Sequence, residues 1–164
     1  MTKNTFAIMV LLFLCASCVL HAVYYYPKLP AEVPSNFNLK GEAHGWTGKT
    51  SFIILYITMV AGAALIIPGI GIAMRRMPVA GINLPNKEYW LSPHKKQETF
   101  DFLFRHMLWF ASGTLLFVMY LFHWCFQAAL GVRPSMPKAL ITGGIYLVFI
   151  IAWCAALTIK FSRK

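Results

Sequence analysis

The chain has 164 residues, of which 59% are hydrophobic and only 12% charged, with a mean hydropathy of +0.62. A water-soluble domain of this size has too little interior to bury that fraction, so the surplus must face lipid. The net charge of +10 would suit nucleic acid, but no basic stripe with interleaved aromatics lies outside the apolar stretches. The excess of Lys and Arg reads instead as anchoring against anionic headgroups.

A membrane span needs about 20 mainly apolar residues, and four stretches qualify, at 6–26, 51–74, 107–130 and 138–161. The prediction is an all-α integral membrane protein, a single four-helix membrane domain over 1–164. An ordered outer loop occupies 27–50 and a cytoplasmic loop with an interfacial segment occupies 75–106. With four spans, both termini and the 75–106 loop share one side. That side carries ten of the fifteen Lys and Arg residues, against Lys28, Lys40, Lys49, Arg133 and Lys138 on the other. The positive-inside bias therefore predicts both termini in the cytoplasm.

The first span follows Lys3 and runs apolar past Cys18 to Val23, longer than a secretory h-region, so it reads as an uncleaved anchor. Cys15 occupies the place where a lipobox ending at Cys18 would want leucine. In the loop after it, Pro27, Pro30 and Pro34 exclude helix and favour extended or turn backbone. Gly41, Gly45 and Gly48 supply conformations that tight turns need. A loop this long without helix is uncommon unless ordered for use. Tyr24, Tyr25, Tyr26 and Trp46 suit an outer aromatic belt.

Leu29-Pro30, Val33-Pro34, Asn36-Phe37-Asn38 and Gly41 follow one another in this loop. The pattern resembles the N-terminal domain of unknown function of SdpI-like bacterial immunity and signalling membrane proteins. The resemblance implies a bacterial plasma membrane and either protection against a membrane-active peptide or relay of its presence to a partner. It implies no reaction.

In the second span, Pro68-Gly69-Ile70-Gly71 predicts a kink or an early helix break. Ala61-Gly62-Ala63-Ala64, and Gly143-Gly144 in the fourth span, are small-residue faces for close helix approach. In the cytoplasmic loop, Asn86-Lys87-Glu88-Tyr89-Trp90 resembles a step that proteins similar to this one often carry at this place. Tyr89, Trp90 and Leu91 read as an interfacial turn dipped into headgroups. Ser92-Pro93 reads as N-cap and first position of a helix running into the third span. Along that span Phe102, Phe104, Trp109, Phe110, Phe117, Phe122, Trp124 and Phe126 offer lipid- or partner-facing surface on several sides.

No nucleophile–base pair, P-loop, dinucleotide fingerprint or HExxH occurs, and the expectation is a protein without enzymatic activity. The five acidic residues (Glu32, Glu42, Glu88, Glu98 and Asp101) all lie outside the spans, which weakens a transporter reading. The Cys15–Cys18 pair sits mid-span, where thiolates are not stabilised, and reads as structural. His44, His94 and His106 read as loop or interface residues.

At about 100° per residue, Cys18, His21 and Tyr25 share one stripe of the first helix, and Tyr120, His123 and Gln127 share one stripe of the third. Should these faces meet, His21 and His123 have the chemistry to hold copper or haem. The same residues would equally serve as a polar cluster fixing helix packing, or as interface histidines reaching water.

The leading expectation is a non-enzymatic membrane protein that binds or stabilises another membrane component, as an accessory subunit or an immunity- or signalling-type protein. Asn36, Phe37, Asn38, Gly41 and Trp46 outside, with Asn86, Glu88, Tyr89 and Trp90 inside, are its candidate loop-ordering and partner-binding residues, and it has no cofactor. The alternative is a redox subunit with His21 and His123 as metal ligands; a small transporter ranks third.

Overall fold

The computed structural model describes residues 3–38, 40–132 and 139–163, with the side chains of residues 139–140 outside the description. Leu39, Arg133, Lys138 and Lys164, which enter the loop pattern, the charge comparison and the fourth span, lie outside the described residues. The elements in order are α1 (Lys3–Tyr25), β1 (Glu32–Phe37), β2 (Ala43–Gly48), α2 (Lys49–Arg76), the one-turn α3 (Lys87–Trp90), α4 (Lys96–Ala129) and α5 (Ala139–Ser162). Four of these helices are long and apolar enough to cross a membrane. The chain is an integral membrane protein with four such helices and one small two-stranded sheet.

The interior lies between α1, α2 and α4, which pack on one another. Ala7, Leu11, Cys18 and Ala22 of α1 meet Phe52, Tyr56 and Val60 of α2 and Leu108, Ala111, Leu115, Phe122 and Phe126 of α4. Two glycines allow close contacts between helices, one with backbone and one with a ring. A Cβ on Gly71 of α2 would stand 3.2 Å from the Phe104 Cα, and one on Gly113 of α4 would stand 2.6 Å from Phe149 Cζ of α5. The anticipated small-residue faces differ: Ala63 of α2 is part of the core, whereas a Cβ on Gly143 or Gly144 meets nothing within 4 Å.

Helix α2 does not break at Pro68 but continues to Arg76. Pro68 is buried, and the close contact at Gly71 one turn later holds the helix on α4. At 34 residues, α4 is about 51 Å long at 1.5 Å per residue, well beyond the ~30 Å apolar core of a bilayer. Its first turns, with Lys96, Glu98, Asp101 and Arg105, therefore reach into the headgroup layer.

Helix α5 stands on the far side of α4 and contacts it through rings. Phe117 stacks on Tyr146 at 4.0 Å, Phe110 on Phe149 at 5.6 Å, and His106 faces Trp153 at 4.2 Å. Thr114 Oγ1 lies 2.9 Å from Tyr146 Oη. The aromatics of α4 are thus divided: Phe122 and Phe126 are core, Phe110 and Phe117 bind α5, and Trp109 remains 37% exposed.

The 75–106 segment folds back on the helix ends. Leu91 is buried with Ile82, Phe100, Leu103 and Phe161, not dipped outward, while Tyr89 stays at the surface. Helix α4 begins at Lys96, later than Ser92-Pro93 predicts. Ser92 Oγ donates backward to the Tyr89 carbonyl at 2.8 Å, and its own carbonyl accepts from Lys95 N and Lys96 N, making a turn instead of a cap.

Overpacking costs about 1–3 kcal/mol. Gly71→Leu is therefore expected to lower the Tm of the purified protein by several degrees. Gly69→Ala, where an added Cβ meets nothing within 4 Å, is expected to leave Tm unchanged or raise it through helix propensity.

Candidate functional site

The loop between α1 and α2 is a docked antiparallel hairpin. Glu32 pairs with Gly48, Val33 with Thr47, Pro34 with Trp46, Asn36 with Gly45 and Phe37 with Ala43, with irregular register around Ser35. Proline is tolerated there because a two-stranded ribbon consists only of edges. Gly45 faces Asn36 so closely that a Cβ would lie 2.8 Å from Asn36 Nδ2.

Asn38 builds the turn. Its Oδ1 accepts from Lys40 N and Glu42 N at 2.9 Å each, its Nδ2 donates to Glu42 Oε2 at 2.8 Å, and its backbone N–H donates to the Glu42 carbonyl at 2.9 Å. Gly41 sits at φ 84°, a conformation that disfavours any side chain. One face of the hairpin is held by Val33, with no exposed surface, beside Leu29 and the half-buried Phe37, all packed on the bundle core. The hairpin's exposed residues include Asn36, His44 and Trp46, the last at 57%.

Beneath the hairpin, the two histidine stripes meet. His21 Nε2 lies 3.2 Å from His123 Nδ1. The Gln127 amide nitrogen lies 3.1 Å from Tyr25 Oη and 3.4 Å from His123 Nε2. An amide NH2 only donates, so its two protons serve Tyr25 and His123. In a neutral ring, His123 Nδ1–H then donates to His21 Nε2. His21 Nδ1–H in turn donates to Tyr56 Oη, 3.3 Å away, and Tyr56 also hydrogen-bonds the Cys18 side chain. Every member has a partner, as polar groups within a membrane require.

Aromatic walls enclose the chain. Phe126 stacks on Tyr25 at 5.0 Å and Phe122 on Tyr56 at 4.4 Å. Tyr120 points outward, 43% exposed, rather than joining the network. The member that sequence reasoning missed is Tyr56. Its only signal was a hydroxyl inside an apolar run.

Two nitrogens on a tetrahedral ion with bonds of about 2.0–2.1 Å stand roughly 3.3 Å apart, close to the observed His21–His123 spacing. Among the described residues no group of three His, Cys, Asp or Glu side chains is placed to hold a metal. Met119, a further soft donor, lines the same cavity as both histidines. A haem held by both histidines would need its ring between them, whereas here the two imidazoles are in direct contact at 3.2 Å.

The residues of the 83–90 segment lie at the opposite end of the bundle. Asn86 Nδ2 donates to the carbonyls of Phe161 and Ser162, and Trp90 Nε1 to that of Phe161, all at 3.1 Å. These are C-terminal carbonyls of α5 that have no partner within their own helix. Asn86, at φ 51°, and Trp90 therefore serve as an internal cap. Glu88 and Tyr89 remain exposed.

A family model, the domain of unknown function DUF1648, matches residues 12–60, under a third of the chain. No curated protein and no solved structure matches. The match runs from mid-α1 through the hairpin to mid-α2. It includes His21, Tyr25 and Tyr56 but neither His123 nor Gln127, so the network joins the matched unit to α4.

Interhelical hydrogen bonds in membranes contribute about 0.6–2 kcal/mol. A double-mutant cycle with His21→Leu and His123→Leu is expected to give a coupling energy in that range by steric-trap or denaturant unfolding. The double variant is expected to be more stable than the sum of the single losses implies, because each single change strands one imidazole.

Proposed function

We propose that the chain is a non-enzymatic protein of the bacterial plasma membrane, with both termini cytoplasmic, that binds or stabilises another membrane component. It acts as an accessory subunit or as an immunity- or signalling-type protein. The observation that carries this reading is the hairpin. It is held to the bundle by Leu29 and Val33 and still presents Trp46 at 57% exposure. A pre-ordered loop pays little entropy on binding, and an exposed tryptophan is the residue type that most often anchors an interface. The DUF1648 match over residues 12–60 supports a link to SdpI-like proteins, whose occupant would be a membrane-active peptide or a partner subunit.

The second reading, a copper-handling subunit, draws on the 3.2 Å His21–His123 contact and the adjacent Met119. Imidazole with thioether suits Cu(I), and the same spacing speaks for copper over haem.

One sample separates the two. Protein purified in gentle detergent is analysed for stoichiometric partners and for copper. A partner retained by the native chain and lost by at least tenfold in Trp46→Ala, with Tm unchanged, is the expected outcome. Bound copper that disappears in His21→Ala and in His123→Ala, with no Trp46-dependent partner, would replace the binding reading with the redox one.

A further inference from the structure

Among the described residues one ion pair forms, between Arg75 and Asp101 at 2.7 Å. At the end of the bundle opposite the hairpin, Lys3 of α1, Arg105 of α4 and Lys160 of α5 line one cavity of about 570 Å³. None of the three has a carboxylate partner among the described residues. Arg105 Nη1 donates to the neutral Asn4 side chain at 3.2 Å. Lys160 Nζ stands 4.0 Å over the Phe102 ring, and the Arg105 guanidinium 5.8 Å from the same ring. Two acids share the cavity, with His94 at its rim: Asp101 is engaged by Arg75 and Gln97, and Glu98 is exposed. Three cations drawn from three helices thus line one cavity, two of them beside the same ring, with one unpaired carboxylate opposing them.

Below the cavity, α4 offers an apolar track. At 100° per residue, Phe102, Trp109, Leu116 and Tyr120 fall on one stripe. Helix α1 borders it through the Phe6–Trp109 contact at 6.0 Å, and α5 borders it through Phe110–Phe149 and Phe117–Tyr146. Trp109, Leu116 and Tyr120 are 37%, 50% and 43% exposed. From Arg105 to Leu116 the helix rises about 16 Å, roughly half the ~30 Å hydrocarbon thickness. That is the depth of one leaflet.

We propose that Lys3, Arg105 and Lys160 hold the phosphate of an anionic phospholipid whose acyl chain lies along the α4 track between α1 and α5. The cations recognise phosphate chemistry, which a free phosphate ion shares. The apolar track directly beneath them selects the lipid. Because α5 meets α4 largely through side chains, a lipid seated here would also tie α5 to the other helices.

The test uses full-length protein, delipidated in a neutral detergent and titrated with phosphatidylglycerol, phosphatidylcholine or inorganic phosphate, with bound lipid counted by native mass spectrometry. Phosphatidylglycerol is expected to fill one site at least tenfold more tightly than phosphatidylcholine. A juxtamembrane cation contributes about 1 kcal/mol, so Lys160→Gln is expected to weaken phosphatidylglycerol about fivefold. Glu98→Gln, which removes an opposing charge, is expected to tighten it. Among the described residues the Lys160 side chain makes no hydrogen bond, and an unchanged lipid-free Tm confirms that the variant is intact. Equal binding of the two lipids, unchanged affinity in both Lys160→Gln and Arg105→Gln, or displacement of the lipid by inorganic phosphate at equal concentration would overturn the proposal.

Discussion

The contact between His21 and His123 governs how the rest of the molecule is arranged. Polar groups within a helix bundle in lipid are best satisfied by neighbouring helices, and the part-buried His21 and His123 find their partners there. The direction of donation, from Gln127 through the two rings to Tyr56, leaves each nitrogen with one role. The 3.2 Å contact fixes the rotation and axial register of α1 against α4. The Tyr56 bond fixes α2 against both. Apolar packing alone would tolerate sliding, because lipid tails solvate leucine as well as another helix does.

That register decides where the hairpin sits. Tyr25, one turn after His21, stacks on Phe126 and accepts from Gln127. The Leu29 N–H then closes the chain turn on the Tyr25 carbonyl at 3.1 Å. From there Val33 falls into the gap above α4. The hairpin has its own local instructions in Asn38, Gly41 and Gly45, but its height and orientation on the bundle come from the polar network below it. The opposite end is built on a different principle: side chains of the 83–90 segment close the C-terminus of α5.

The helices and their number were legible because runs of apolar residues long enough to span lipid have few alternatives. The meeting of His21 with His123 was legible in part, since a 3.6-residue period places each on a stripe with other polar groups. Tyr56 was not, because a single tyrosine in an apolar run carries no periodic signal. Pro30 and Pro34 excluded helix correctly, whereas Pro27 sits in a one-turn 3-10 helix at Tyr26–Lys28. The strand pairing depended on Gly45 meeting Asn36 across the hairpin, a contact no local pattern encodes. Pro68 did not end its helix, which continues past the close contact at Gly71 to Arg76. The Tyr89-Trp90-Leu91 step looked interfacial by composition. Only the position of the α5 terminus shows that Trp90 is a cap and Leu91 a core residue.

The most direct measurement is solid-state NMR of protein carrying nitrogen-labelled histidine in lipid bilayers. The account predicts one protonated and one bare nitrogen in the rings of both His21 and His123, with scalar coupling across a hydrogen bond from His123 Nδ1 to His21 Nε2. Two separate rings without that coupling, or either ring with both nitrogens protonated, would contradict it.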